Sequence, residues 1–214
     1  MKYELLIFDM DGTILDTLED LKNSMNYTLR LHNMPERSLD EIRSFVGNGI
    51  RTLIERAVID GTSIDKINAM HKDFMLHYEA HCADETKAYD GIIEVITKLR
   101  TLGFKTAVVS NKAHPAVLEL CEKYFPGLFD LALGETPDMA RKPAPDMVHF
   151  ALKHFNVSKE KAVYIGDSEV DVATARNSNL DMIAVDWGFR SRQCLKEQGA
   201  TIIISHPTEL IDYV

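Results

Sequence analysis

Two carboxylates follow the first apolar segment of the chain, separated by a single residue. Residues 5–8 read Leu-Leu-Ile-Phe, and Asp9, Met10, Asp11 and Gly12 come directly after them. Alternate side chains of an extended chain share a face, so Asp9 and Asp11 can project to the same side. Like charges at this spacing repel each other unless a proton or a cation lies between them. The pattern favours a hard divalent ion such as Mg²⁺, which prefers carboxylate and carbonyl oxygens.

Three later segments also place polar side chains directly after apolar runs or before a predicted helix. Ser110 and Asn111 offer a hydroxyl and an amide that can bind phosphate oxygens. Lys142 stands ahead of a predicted helix, and Asp167 ends another apolar run with Asp171 one helical turn beyond it. Because open α/β sheets bind ligands outside the carboxyl ends of their strands, we expect all these side chains to converge on one crevice.

The elements that must position these residues are predicted from the spacing of apolar segments. Runs rich in β-forming residues alternate with stretches of helical period, which is typical of a doubly wound, mostly parallel, Rossmann-like α/β sheet. The predicted strands are residues 3–8, 105–109, 131–133, 162–165, 182–185 and 201–204.

A long helical interval separates the first strand from the others. Its apolar residues recur at helical spacing throughout, which predicts an inserted α-helical cap domain. We expect the cap to comprise residues 16–89 and the α/β catalytic core to comprise residues 1–15 and 90–214. Within the cap, Gly49 and Arg51 lie where a helix begins, so free N–H groups and a cation could meet an anion there. A plain turn is the alternative interpretation.

The charge balance and the cysteines narrow the class of protein. The 214 residues include 24 Lys and Arg against 33 Asp and Glu, for a net charge of −9, which opposes general attraction to nucleic acid or to anionic membranes. No apolar run is long enough to span a bilayer. The three cysteines, Cys82, Cys121 and Cys194, are widely spaced and odd in number, so a disulfide framework is not indicated. We expect a cytoplasmic protein.

Four segments, taken together, resemble the motifs of the haloacid dehalogenase superfamily. They are Asp9-Met10-Asp11-Gly12-Thr13, Ser110-Asn111, Lys142-Pro143 and Gly166-Asp167-Ser168-Glu169-Val170-Asp171. Each pattern is weak alone, but all four stand in the expected order at predicted strand or helix boundaries. The resemblance covers nearly the whole chain and implies the α/β core with a helical cap.

The resemblance implies a phosphatase that forms an aspartyl-phosphate. Asp9 would be the nucleophile, which splits one difficult displacement into two. Asp11 would be the general acid that protonates the leaving alkoxide and the general base that later activates water. Lys142 would offset the charge of Asp9 and of the intermediate.

The same resemblance implies a cofactor and a set of binding residues. Mg²⁺ would be bound by the Asp9 carboxylate, the Asp11 main-chain carbonyl and Asp167. Asp171 and Ser168 would support the water shell of that ion. The residues implied in binding the phosphoryl group are Thr13, Ser110, Asn111 and Lys142.

Within the superfamily, the chain resembles the bacterial phosphoglycolate phosphatases. Asp11 argues against the dehalogenase branch, which has no alkoxide to protonate. Residues 9–17, the loop at residues 46–49 and Trp187-Gly188 carry the closer resemblance, whereas Asp90 stands where these relatives often have proline. The first expected substrate is therefore 2-phosphoglycolate, with Arg51 as the candidate contact for its carboxylate.

Several alternatives stay open at the level of the sequence. Within the superfamily they are a pyrophosphatase, a nucleotidase, and a sugar-phosphate phosphatase or mutase. The alternative that is not an enzyme is a regulatory binding protein on the same scaffold. Against it, Asp9, Asp11, Lys142 and Asp167 would then form an energetically costly cluster of charges with no catalytic role. The expected partner is a small phosphorylated metabolite, with neither nucleic acid nor membrane, and the expected assembly is a monomer or homodimer.

Overall fold

Six parallel strands form the central sheet of the computed structural model, which describes residues 2–214. The strands of the chain are β1 Leu5–Phe8, β2 Leu15–Asp16, β3 Lys87–Ala88, β4 Lys105–Ala113, β5 Leu131–Glu135, β6 Ala162–Gly166, β7 Asp181–Val185 and β8 Ile203–Ile204. The order in the sheet is β5-β4-β1-β6-β7-β8, and each neighbouring pair is parallel. All six predicted strands form, so the expected mostly parallel α/β fold is confirmed.

The chain divides into two compact units. One contains the chain up to Leu15 together with Ala88–Val214, and the other is Asp16–Lys87. The short strands β2 and β3 pair with each other where the chain passes between the two units. The helices are α1 Leu18–Leu31, α2 Leu39–Phe45, α3 Gly49–Ala57, α4 Ile64–His81, α5 Ile92–Thr101, α6 His114–Tyr124, α7 Asp146–Phe155, α8 Glu169–Ser178, α9 Arg192–Glu197 and α10 Leu210–Tyr213, with 3₁₀ turns at Lys159–Lys161 and Pro207–Glu209.

The strand order places the carboxyl ends of three strands side by side. β1 lies between β4 and β6, with Phe8 level with Val108 on one side and Ile165 on the other. The chain passes from β1 to β4 and β5, then returns to β6 on the opposite side of β1. This reversal is a topological switch point, where open α/β sheets form a crevice. The residues that follow β1, β4 and β6 therefore meet at one edge.

The packing of β1 determines which way its side chains point. Leu5 and Ile7 are fully buried in an apolar cluster with Met147 and Val148 of α7. Phe8 is also fully buried, and its ring makes an edge contact with Phe129, with the ring centroids 5.9 Å apart. Because a strand is buried on both faces in a doubly wound sheet, its apolar run is unbroken up to Asp9.

The second unit consists of four helices with defined starts. Ser38 begins α2 with a capping box, in which its side chain accepts from the Glu41 N–H while Glu41 accepts from the Ser38 N–H. At the start of α4 the Ser63 side chain accepts from the Lys66 N–H. Asp20 of α1 is buried, and its carboxylate accepts hydrogen bonds from the main-chain N–H groups of Glu85 and Thr86. None of the helices described is long and apolar enough to cross a membrane.

Candidate active site

Asp9 lies at the carboxyl end of β1, where the sheet gives way to the crevice. Its main-chain N–H donates to the Ile165 carbonyl at 2.8 Å and so continues the ladder to β6. Its Oδ1 accepts from the Met10 N–H at 2.7 Å and contacts Lys142 Nζ at 2.7 Å. Only 8% of Asp9 is exposed. The sheet thus holds this carboxylate in one position against a buried cation.

Lys142 makes a second and a third contact beyond Asp9. Its Nζ lies 2.9 Å from Asp171 Oδ1 and donates to the Tyr164 hydroxyl at 3.1 Å. The Tyr164 hydroxyl in turn donates to Asp171 Oδ1 at 3.0 Å. An ammonium has three donors, and these three partners use all of them. Lys142 is therefore fixed between the ends of β1, β6 and α8.

The charges of this group shift the pKa of each member. Burial lowers the pKa of Lys142, but Asp171 and Asp9 outweigh burial and hold it well above its usual value. Burial raises the pKa of Asp171, but Lys142 and the hydrogen bonds from Ser168 outweigh burial and hold it below its usual value. The pKa of Asp9 stays well above its usual value because burial and the charge of Asp171 outweigh the attraction of Lys142. The charged forms of Lys142 and Asp171 are therefore favoured, whereas burial and the charge of Asp171 disfavour the charged form of Asp9.

Asp167 follows β6 and contacts the loops on either side of it. Its Oδ1 accepts from the Thr13 hydroxyl at 3.1 Å, and its Oδ2 accepts from the Phe189 N–H at 2.7 Å. The carboxylate is fully buried, and burial together with Asp171 raises its pKa to about 7. Like Asp9, Asp167 has more negative charge around it than the neighbouring donors balance.

Two glycines let the backbone approach Asp167 closely. Gly12 has a φ of +86°, and a Cβ there would lie 2.7 Å from Asp167 Cγ. A Cβ on Gly188 would contact the Gly12 carbonyl oxygen and lie 2.5 Å from Asp167 Cβ. Next to Gly188, the Trp187 indole N–H donates to the Thr13 carbonyl at 3.0 Å. The loop after β7 therefore packs directly on the loop after β1.

A bulge at the end of β4 directs three consecutive polar residues toward the site. Val109 pairs with Leu133 and Ala113 with Glu135, so four steps along β4 match two steps along β5. The residues between are Ser110, Asn111 and Lys112. Asn111 Oδ1 accepts from the Lys142 N–H at 2.7 Å, and Asn111 Nδ2 donates to the Lys142 carbonyl at 3.0 Å. Ser110 Oγ accepts from the Lys112 N–H at 3.2 Å and is buried.

Lys112 pairs with the second acid of the first motif. Its Nζ lies 2.9 Å from Asp11 Oδ1, and only 6% of its side chain is exposed, against 21% for Asp11. Asp11 is held at the same time by the tight turn after β1, where it bridges to Leu15. Each of the two acids that open the site thus has its own lysine, Lys142 for Asp9 and Lys112 for Asp11.

Three carboxylates form a potential metal-binding group. Ligand oxygens of Asp9, Asp167 and Asp171 all lie within 4.8 Å of one another. Asp171 is already engaged by Lys142, Tyr164 and Ser168, so a cation would face Asp9 and Asp167. Those are the two acids whose pKa is raised by burial and by the charge of Asp171. Carboxylate oxygens are hard ligands that suit Mg²⁺, so the close approach of these acids favours a divalent ion at this position.

The structure brings most of the sequence-predicted site residues together. Asp9, Lys142 and Asp171 share contacts, as do Thr13 and Asp167. Of the remaining core members, Asp11 and Ser168 lie in the loops directly after β1 and β6, and Ser110 and Asn111 lie in the bulged end of β4. Ser168 caps α8, where its hydroxyl donates to Asp171 Oδ2 at 2.6 Å. In the structure, Ser168 and Asp171 hold Lys142 in place.

The two cap candidates lie in the helical unit. Gly49 begins α3, and Arg51 lies in its first turn. The Arg51 guanidinium donates to Asn68 Oδ1 at 2.8 Å and pairs with Glu55 at 3.0 Å. Arg51 is therefore engaged by neighbours within its own unit.

Sequence reasoning missed three groups that the structure places in the site. Tyr164 stands within the apolar run of β6, where a tyrosine is normally a packing residue. Regular strand alternation places Ser110 and Lys112 on one face and Asn111 on the other, so the sequence did not predict that all three would lie at one site. The third group is the Phe189 N–H, which belongs to the main chain and leaves no signal in a side-chain pattern. For Lys112, the signal in the sequence was a lysine close to the end of an apolar strand, where it could reach the same site as Ser110.

Comparison with family models and with curated proteins finds relatives that cover most of this chain. Residues 6–185 match the family model described as haloacid dehalogenase-like hydrolase. A phosphoglycolate phosphatase from Colwellia psychrerythraea is 34% identical over 205 residues, which cover 92% of this chain and 90% of that protein. Another from Rhodobacter capsulatus is 33% identical over 190 residues, with 86% and 85% of the two chains covered.

A solved structure shows the same fold over the whole length. The crystal structure of a protein from Lactobacillus delbrueckii subsp. bulgaricus, provisionally described as a phosphoglycolate phosphatase, is 39% identical to this chain. The two superpose with a TM-score of 0.96 over 100% of this chain and 98% of that one.

Proposed function

This chain belongs to the haloacid dehalogenase-like hydrolases, and we propose that it is a Mg²⁺-dependent phosphatase of small phosphate monoesters, with 2-phosphoglycolate as its first substrate. The observation that carries the proposal is the contact of Lys142 with both Asp9 and Asp171 beside Asp167. A lone acid at a strand end is commonplace. A buried acid held by a buried lysine, among further acids, suits attack on an anionic phosphorus centre.

Asp9 is the proposed nucleophile. Its carboxylate attacks phosphorus in line, the bond to the leaving alkoxide breaks, and an aspartyl-phosphate forms. Water then attacks that intermediate and releases inorganic phosphate and Asp9. Lys142 stays beside Asp9 Oδ1 and offsets the negative charge that accumulates during both steps.

Asp11 is the proposed acid and base. It gives a proton to the leaving oxygen in the first step and takes one from the attacking water in the second. The turn after β1 and the contact with Lys112 hold its carboxylate in position. Thr13, Ser110 and Asn111 complete the proposed phosphoryl-binding set.

Mg²⁺ would be held by the Asp9 and Asp167 carboxylates and the Asp11 main-chain carbonyl, and it would supply positive charge to the phosphoryl oxygens. Four carboxylates, Asp9, Asp11, Asp167 and Asp171, stand against two ammonium groups in this site. A divalent cation would balance that count. Hydrogen bonds from the Thr13 hydroxyl and the Phe189 N–H orient the Asp167 carboxylate for binding the ion.

The choice of 2-phosphoglycolate is supported by what the relatives from Colwellia psychrerythraea and Rhodobacter capsulatus are called. We propose that Gly49 and Arg51 of the helical unit contribute to substrate contact. The three cysteines are free, with Cys82 and Cys121 buried, which supports a reducing, cytoplasmic setting.

The experiment that tests the proposal is the Asp9→Asn substitution. We expect turnover of 2-phosphoglycolate with Mg²⁺, measured as release of inorganic phosphate, to fall to background while the circular dichroism spectrum is unchanged. Asp181→Asn, the same change at an exposed ion pair with Lys2, is the matched control and should retain the wild-type rate. Normal hydrolysis by Asp9→Asn would refute the nucleophile assignment. A panel of phosphorylated metabolites, assayed in the same way, separates a phosphatase from a mutase, because a mutase returns the phosphoryl group to its substrate.

A further inference from the structure

Lys112 is a buried cation beside the second acid of the first motif. It is 8% exposed, and its Nζ contacts Asp11 Oδ1 at 2.9 Å. Burying an ammonium is costly even when it is paired, so its presence calls for an explanation. Lys142 already serves Asp9, where the phosphoryl group would be transferred. Lys112 instead stands next to the acid that would protonate the leaving oxygen.

The position of Lys112 is built into the sheet. The β4 bulge brings Lys112 to the same edge as Ser110 and Asn111, although a regular strand would point one of them away. Its carbonyl also packs closely on β5, because a Cβ on Gly134 would lie 2.5 Å from the Lys112 oxygen. The Lys112 N–H donates to Ser110 Oγ at 3.2 Å. The main chain of this residue is therefore fixed on both sides.

We infer that Lys112 selects substrates whose leaving group carries a carboxylate next to the ester oxygen. The inference rests on the proposed function, in which Asp11 contacts the leaving oxygen. A carboxylate separated from that oxygen by one methylene has its own oxygens about 3 Å away from it. An ammonium beside Asp11 is within reach of such a group, and a charge-assisted hydrogen bond would form in a site shielded from water. Lys142 thus neutralises the phosphoryl group and Lys112 neutralises the other end of the substrate.

The test compares two esters that differ in the carboxylate, 2-phosphoglycolate and ethyl phosphate. For the wild type and for Lys112→Met, kcat/KM is measured with each ester in turn. We expect the wild type to prefer 2-phosphoglycolate, and Lys112→Met to lose on the order of 100-fold on that ester, mainly through weaker binding that raises KM. On ethyl phosphate Lys112 acts only by holding Asp11, so the loss there should be smaller by on the order of 10-fold.

Three further variants make the test specific. Lys112→Gln offers Asp11 a neutral donor without the charge and should show the same selective loss, so a folding defect of Lys112→Met does not decide the outcome. Lys112→Arg keeps the charge and should retain most of the preference. Lys105→Met makes the same substitution at the exposed start of β4 and should leave kcat/KM unchanged for both esters.

The outcomes that would overturn the inference are distinct from failure of the proposed function. Equal losses on both esters would mean that Lys112 acts only through Asp11. A selective loss in Arg51→Met without one in Lys112→Met would place the carboxylate contact in the helical unit. If the wild-type enzyme hydrolyses ethyl phosphate with the same kcat/KM as 2-phosphoglycolate, the inference about Lys112 is wrong, but the proposed function stands. If it hydrolyses neither ester, nor any other phosphate monoester, the proposed function fails and the inference falls with it.

Discussion

Single residues decide the chemistry of this site through their charged neighbours. Asp9 and Asp171 both contact Lys142 Nζ, yet the pKa of Asp9 is raised and that of Asp171 is lowered. The difference follows from their other contacts, because Asp171 also accepts from Ser168 and Tyr164. Two carboxylates on one lysine therefore have different parts. Asp171 is favoured in its charged form beside the lysine, whereas burial and the charge of Asp171 disfavour the charged form of Asp9.

The part of Asp171 can be measured with Asp171→Asn. Removing this charge leaves Lys142 buried with one counter-charge and takes an acceptor from Ser168, so we expect the free energy of unfolding to fall by about 3 kcal/mol. Urea denaturation with a fixed m-value is the measurement. Asp181→Asn removes an acid from a pair with Lys2 in which both side chains are more than half exposed, and it should cost less than about 1 kcal/mol. Similar losses in both variants would contradict the assignment of Asp171 as an anchor for Lys142.

At this scale the sequence singled out the acids that the structure brings close together, but it did not single out the residues that contact them. Asp9, Asp11, Asp167 and Asp171 stood out because carboxylates interrupt or follow apolar strands. Tyr164 did not, since a tyrosine inside β6 has the same sequence signature whether its hydroxyl is used or not. Its contact with Lys142 depends on strand order, which no local pattern contains.

The elements position the site through the close packing of loops. The loop after β7 lies against the loop after β1, and Gly188 allows this approach. We expect Gly188→Ala to lower kcat/KM by at least 100-fold, because its Cβ would displace the Gly12 carbonyl or Asp167. Gly199→Ala is the control, since a Cβ there meets nothing within 4 Å and only its φ of +100° opposes the change. It should lower the melting temperature while leaving kcat/KM intact. A fully active Gly188→Ala enzyme would show that this loop contact is not needed.

The start of β4 is secured by an ion pair that gives a pH-dependent stability. Burial raises the pKa of Asp130, but Arg100 at 2.7 Å and the Thr106 N–H outweigh burial and hold it below its usual value. A carboxyl with a lowered folded-state pKa stabilises the fold above its unfolded pKa of 3.8, and that contribution is lost as the pH falls through the folded-state value.

We therefore expect Asp130→Asn to lose about 1–2 kcal/mol of unfolding free energy at pH 7. Both partners are about one-third exposed, which keeps the expected loss modest. The difference from wild type should be constant between pH 7 and pH 5 and should shrink below pH 3.8. Urea denaturation over this pH series measures it. A difference that grows as the pH falls would contradict the sign.

The elements themselves were the most predictable level. Each of the six expected strands forms, because continuous apolar runs bounded by polar residues are a strong local signal. The errors lie at the ends: β4 runs to Ala113, four residues beyond the predicted end, because the bulge restores pairing with Glu135. The short helix α2 was not singled out by its apolar spacing, since of its seven residues only Ile42 is buried.

For the whole molecule, the balance of charge predicts a response to magnesium. Burial and the charge of Asp171 raise the pKa of Asp9 and of Asp167, and ligand oxygens of all three acids lie within 4.8 Å of one another. A cation that binds these acids only in the folded state should therefore stabilise that state. We expect millimolar Mg²⁺ to raise the melting temperature of the wild type, and EDTA to reverse the rise. An equal ionic strength of NaCl should not reproduce it. Asp167→Asn should abolish the response, and an unchanged response in that variant would place the ion elsewhere.

The β4 bulge has a consequence for insertions and deletions. Shortening the chain by two residues between Val109 and Ala113 would allow an unbroken ladder with β5, so a deletion variant could gain regular pairing. The same deletion would remove two of three residues: Ser110, Asn111, whose amide braces Lys142, and Lys112, which pairs with Asp11. A deletion scan of this segment should therefore find variants that lack residues between Val109 and Ala113, still fold, and have lost activity. We therefore expect activity to depend on the number of residues in the bulge as much as on their identity.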